Sequence, residues 1–174
     1  SYHKVTFNGD GTIYQSGIYD SLIFSPGHTY IIENNRTQTI NNKFKADGTC
    51  SQPIQIHSNS TGIKTTLSQG SGTVTVSYVQ MQDIEATGGA AFIANVTSDL
   101  GNNSGWTFTS TVTDLYWIGG SGNWNDGNHW SATSGGASAC LIPSPSINVH
   151  FDANSFVSNG QTVTFNVYAY CKSM

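Results

Sequence analysis

Hydrophobic and polar residues alternate along most of the chain with a period of two, not the 3.6 of a helix. In Ile54-Gln55-Ile56-His57 and Thr73-Val74-Thr75-Val76 every second side chain is apolar, which turns one face of an extended strand toward a core. The same pattern predicts strands at 4–7, 12–15, 21–24, 29–33 and 43–46. Others are predicted at 54–57, 64–67, 73–82, 91–94 and 106–109, and beyond a Gly/Trp-rich stretch at 148–151 and 162–168. Turn formers punctuate them: Asn8-Gly9-Asp10-Gly11, Ser25-Pro26-Gly27, Asp47-Gly48, Gly70-Ser71-Gly72 and Gly88-Gly89.

These turns recur about every ten residues, a spacing that suits a sandwich or a solenoid. Two features favour the solenoid. Residues 39–48 and 63–72 read as equivalent corners one coil apart, and Asn, Ser and Thr at successive corners can stack in ladders. Ile18 to Ala86 would then hold three coils of about 20–25 residues. The expected fold is all-β, a right-handed parallel β-helix-like solenoid, with an antiparallel β-sandwich as the alternative. A new Trp/Gly composition starts at Tyr116. It divides the chain into a solenoid repeat, 1–113, and the start of a following repeat, 114–174, packed on the first. Val5-Thr6-Phe7-Asn8 also resembles Val149-His150-Phe151-Asp152, as in an array.

Composition narrows the partners. Charged residues make up 9% of the chain, against roughly 25% in an ordinary soluble domain. Six Lys and Arg oppose ten Asp and Glu, for a net charge of −4. So few cations cannot neutralise many phosphates, which excludes a nucleic-acid footprint. No apolar run is long enough for a membrane helix, and no insertion is expected. Ser1-Tyr2-His3-Lys4 lacks the apolar run of a signal peptide, so a mature, processed or excised segment is expected.

Cys50, Cys140 and Cys171 form no zinc pattern, since no Cys-x-x-Cys pair occurs and no His lies at ligand spacing from a Cys. An extracellular disulfide between Cys140 and Cys171 is expected, with buried free thiols as the alternative. Tyr116 to Trp130 concentrates three of the four tryptophans. Exposed, Trp117, Trp124 and Trp130 would form a platform for sugar rings; buried, they would brace a module boundary. Asn123, Asn125 and Asp126 hint at a Ca²⁺ loop, but no Glu follows to close the shell, and no metal site is expected. Asp83 and Glu85, two apart on a presumed strand, would share a face, as an acid/base pair or as solvated strand ends. His3, His28, His57, His129 and His150 stand outside any catalytic motif. No enzyme activity and no cofactor are expected.

Three segments together resemble a known family. They are Asp47-Gly48-Thr49-Cys50-Ser51-Gln52-Pro53-Ile54, then Val79 to Ala90 with Gly101-Asn102-Asn103-Ser104-Gly105-Trp106, and then the Trp/Gly run with Phe151 to Phe156 and Tyr170 to Met174. They resemble repeats in the very large secreted surface proteins of Bacteroidetes, including gliding-type adhesins exported by the type IX system. The resemblance implies an extracellular, β-helix-like repeat at the bacterial cell surface, with adhesion or filament building as its role. It implies no catalytic residue; the partners, end-to-end copies or neighbouring repeats, are expected from the unpaired strand edges that a solenoid's end coils leave. Asp20-Ser21-Leu22 looks like that phylum's O-glycosylation triplet, which would make Ser21 the acceptor. Surface glycans are the partner expected of the alternative role, a carbohydrate-binding module.

Overall fold

The computed structural model describes residues 1–174. It is all-β with mostly parallel sheets, and its one helical piece is a 3-10 turn at Gly127–His129. The first strands are β1 (Tyr2–Phe7), β2 (Gly11–Ile13), β3 (Gly17–Phe24), β4 (Thr29–Ile32), β5 (Thr37–Ala46) and β6 (Ile54–Ser58). Then come β7 (Thr65–Gln69), β8 (Thr73–Ser77), β9 (Val79–Gln82), β10 (Ile84–Thr87), β11 (Ala91–Asn95), β12 (Ser98–Asp99) and β13 (Trp106–Phe108). The remainder holds β14 (Asp114–Trp117), β15 (Gly122–Asn123), β16 (Trp130–Ser131), β17 (Asn148–His150) and β18 (Val163–Thr164).

Strands β1 to β13 form three sheets, ordered β1-β3-β5-β7-β10, β12-β9-β6-β4-β2 and β13-β11-β8. All pairings among them are parallel, so the antiparallel sandwich is ruled out. Paired strands lie 14 to 29 residues apart in the chain, from Phe92 opposite Trp106 to Thr37 opposite Thr66. Gln80 stands opposite Gln55, 25 residues back, and Ser98, 18 residues on. The spacing between paired strands is therefore not constant, and the expected equivalence of 39–48 with 63–72 is out of register: Ile40 faces Gln69. One bulge relieves the mismatch between β3 and β5, where Asn41 and Asn42 together oppose Asp20.

Period-two alternation puts Leu22, Phe24, Ile40 and Leu67 of the first sheet inside with Tyr30, Ile32, Ile54, Ile56 and Met81 of the second. These side chains are essentially solvent-free, and each stabilises the fold by roughly 1.5–3 kcal/mol through burial. At the corner between these sheets the backbone turns left-handed at Asn35, Asp83 and Asn102, with φ of 55°, 59° and 56°. Asn and Asp tolerate that region better than other non-glycine residues. Tyr78, at φ 55°, likewise breaks the expected 73–82 strand into β8 and β9.

A second cluster of eight buried residues, from Leu115 to Val149, forms beside the first. Its sheet, β16-β14-β17, pairs β14 antiparallel to β16 and parallel to β17. Only Val163–Thr164 of the expected 162–168 strand is extended, paired to β15. The two clusters are joined by Ser98, whose hydroxyl donates to the Ile142 carbonyl at 2.6 Å and accepts from the Ile142 N–H. They are joined covalently as well. The disulfide links Cys50 to Cys140, with Cα atoms 4.7 Å apart, and Cys171 is free, so the expected Cys140–Cys171 pairing is incorrect. The reason is local docking: the Gly127 N–H donates to the Cys50 carbonyl at 2.9 Å, which brings the Cys50 turn against the Cys140 segment. A side chain at 127 would strike that carbonyl and the Cys140 backbone.

Candidate functional site

The tryptophan platform is not a surface. Trp117, Trp124 and Trp130 are 0%, 1% and 0% exposed, so none can stack on a sugar from solvent. Trp130 sits centrally, its ring edge-on to both others with centroids 4.9 Å away. Its indole N–H donates to the Trp124 carbonyl at 2.8 Å, and that of Trp117 donates to the Gly120 carbonyl at 2.7 Å. The second bond needs a chain reversal, supplied by Gly119 and Gly120 at φ 83° and 80°. His129 stacks flat on Trp117 and fixes its ring through Ile118 O. The Asp126 carboxylate accepts from the Asn128 N–H and so caps the 3-10 turn.

Asp83 and Glu85 do not share a face. The left-handed φ of Asp83 interrupts the alternation between β9 and β10 and turns its carboxylate inward, where it is 2% exposed. It accepts from the Gly62 N–H at 3.1 Å and the Asn102 amide at 2.6 Å, locking three corners together. Glu85 lies on β10 and accepts from the hydroxyls of Thr66 on β7 and of Ser104, which bridges to it from the other side. Ser21 is half-buried within β3 at the bulge, its hydroxyl 3.4 Å from the Asp20 carboxylate.

Asp114 forms the most polarised group. Its carboxylate accepts from His150 Nε2 at 2.9 Å, Thr113 Oγ1 at 2.7 Å and Asn148 Nδ2 at 3.1 Å. These bonds hold its pKa down at about 2, His150 contributing most. Tyr116 stacks on the His150 ring, so the ensemble is a brace across β14 and β17.

The β1/β2 side of the sheets carries open strand edges. Strand β1 pairs only with β3, and β2 only with β4, so each leaves one backbone edge without a neighbour. Beside these edges lies an apolar hollow of about 350 Å³, lined by Tyr2, Val5, Phe7, Ile13, Tyr14 and Tyr19. Tyr2 and Tyr14 are 59% and 69% exposed, and Ile18 nearby is half-exposed. Tyr2 is held flat against the buried Tyr19 ring, with centroids 5.4 Å apart, so the hollow has a rigid aromatic floor. Sequence reasoning missed this surface, although Tyr2, Tyr14 and Ile18 were visible as apolar residues out of phase with the strand alternation. No helix of the structure is long and apolar enough to cross a membrane. No family model, curated protein or solved structure matches this chain.

Proposed function

We propose that the chain is a structural and adhesive repeat module of a cell-surface fibre, acting outside the cell. In this reading the three parallel sheets are the walls of a solenoid whose coils continue into a neighbouring repeat or a further copy. The observation that carries it is the open β1/β2 end, with its unpaired strand edges and its exposed Tyr2, Tyr14 and Ile18. An unpaired edge flanked by apolar surface is a template for another strand, and solenoids need a cap or a neighbour there. The Cys50–Cys140 bond supports an oxidising compartment. The carboxylates of Asp83, Glu85 and Asp114 are engaged in bracing hydrogen bonds, which supports a role without catalysis.

Light scattering over a concentration series tests the reading. The average mass is expected to rise with concentration, and the double variant Tyr14→Lys/Ile18→Lys is expected to hold at the monomer mass. Ile18 and Tyr14 are exposed enough that both substitutions leave the core intact, as an unchanged melting temperature would verify. A parent chain that stays monomeric at every concentration refutes self-association.

A further inference from the structure

A second surface concerns small molecules. The outward face of the second sheet is covered in part by the segment around Tyr168 and Tyr170, leaving a cleft of about 400 Å³ between them. That volume falls within the roughly 300–1,000 Å³ of small-molecule sites. Its polar wall is a grid. Gln55 and Gln80 face one another across the parallel β6–β9 pair, and His57 faces Gln82 in the same way. Neighbouring positions are therefore spaced by about 4.8 Å across the strands and about 6.6 Å along them.

Gln80 is the informative residue. It is 6% exposed, yet its side-chain amide bonds to nothing in the protein, and it lines the cleft. The other buried glutamines differ. The Gln38 amide donates to the Gln15 carbonyl at 2.9 Å and accepts from the Tyr19 hydroxyl, while the Gln69 amide donates to the Ser71 carbonyl and buries its Oε1 without a partner, so neither presents a free amide to a cleft as Gln80 does. The polar atoms of the Gln80 amide still reach the cleft, so they are free to bond a ligand there without giving up a bond inside the chain. Gln55 and Gln82 add two more amides with no bond inside the chain. His57 donates through Nδ1 to the Ser58 carbonyl, so the Nε2 of the neutral ring remains an acceptor.

We propose that this cleft binds a neutral sugar unit of a glycan. The lining contains no Asp, Glu, Lys or Arg, which argues against an anionic or cationic ligand. Amides both donate and accept, as sugar hydroxyls do, and three of them on a fixed strand spacing meet several hydroxyls at once. Tyr168 is 90% exposed at the rim, where its ring offers a flat apolar face to the C–H side of a pyranose. This site is separate from the buried tryptophans and does not depend on self-association.

Calorimetric and ligand-observed NMR titrations of the whole chain test it. The probes are short cello-, manno-, xylo- and galacto-oligosaccharides, with oligogalacturonate and an uncharged Ser/Gly/Asn peptide for comparison. At least one neutral series is expected to saturate. Gln80→Leu should weaken that binding by about tenfold or more, and Tyr168→Ala by about fivefold, each at an unchanged melting temperature. Should Gln80→Leu not fold, Tyr168→Ala and Gln55→Ala carry the test, since both positions reach solvent. The proposal is overturned if no neutral series saturates at about 20 mM. It is equally overturned if the variants that fold bind as the parent does, or if oligogalacturonate or the peptide is preferred.

Discussion

Removing the Cys50–Cys140 bond isolates the contribution of the covalent joint between the two clusters. The bond closes a loop of 90 residues. In the chain-entropy account, cross-linking a loop of that length removes enough freedom from the unfolded chain to stabilise the fold by about 4.6 kcal/mol. For a chain of this size, about 2–4 °C of melting temperature accompanies each kcal/mol, so the double variant Cys50→Ala/Cys140→Ala should melt roughly 9–18 °C lower. Urea unfolding followed by tryptophan emission is the natural assay, because Trp117, Trp124 and Trp130 all report from the second cluster. Cys171→Ser, by contrast, should leave the midpoint where it is, since that thiol pairs with nothing. A loss below about 1 kcal/mol in the double variant would refute the joint as a stabilising element. Peptide mapping that finds Cys140 joined to Cys171 would refute the geometry itself.

Trp130→Ala empties the centre of the second cluster and should cost about 3–5 kcal/mol in urea unfolding, whereas a loss under 1 kcal/mol would mean the ring is not buried there. Asp114 has a lowered pKa of about 2, so its stabilisation is present above the ordinary carboxyl value and disappears as pH falls through the acid range toward 2. Asp114→Asn should therefore show a smaller drop in urea midpoint between about pH 5 and pH 2 than the parent, and equal drops would contradict the brace. Gly88 sits at φ 106°, and a Cβ there would lie 2.6 Å from the Gln69 carbonyl oxygen. Gly88→Ala should cost about 1–3 kcal/mol by thermal melting, and a neutral result would show that the corner can open.

The strand faces were legible because burial writes period two into the chain: Ile54, Ile56, Val74 and Val76 point inward as the alternation requires. Where a single residue turned left-handed, the signal failed. Tyr78 and Asp83 reverse the backbone within runs that otherwise read as continuous strand, and the Asp83–Glu85 phase is lost as a result. Parallel register was only partly legible, since unequal spacing between paired strands leaves no fixed repeat to count. The Cys50 partner was not legible at all. It depends on how Gly127 docks on the Cys50 carbonyl, a contact between positions far apart in the chain. Nor was the Gln80 cleft, because its second wall comes from the segment around Tyr168, where the alternation predicts a strand over 162–168 that forms only at Val163–Thr164. The sequence admits the tryptophans as platform or brace, and their indole N–H bonds to nearby carbonyls, together with their burial, decide for the brace.

In a fibre, the Cys50–Cys140 bond would also govern mechanics. Tension applied at the two termini passes through sulfur and bypasses the 90 residues that the bond spans. Of the 174 residues, only the remaining 84 could be drawn straight, so maximal extension falls from about 600 Å to about 290 Å. Most of the parallel ladder from β6 onward would stay folded under load, while β1 to β5 could peel away. The module would thus lengthen by a limited, built-in amount and then resist, as a tether with a stop.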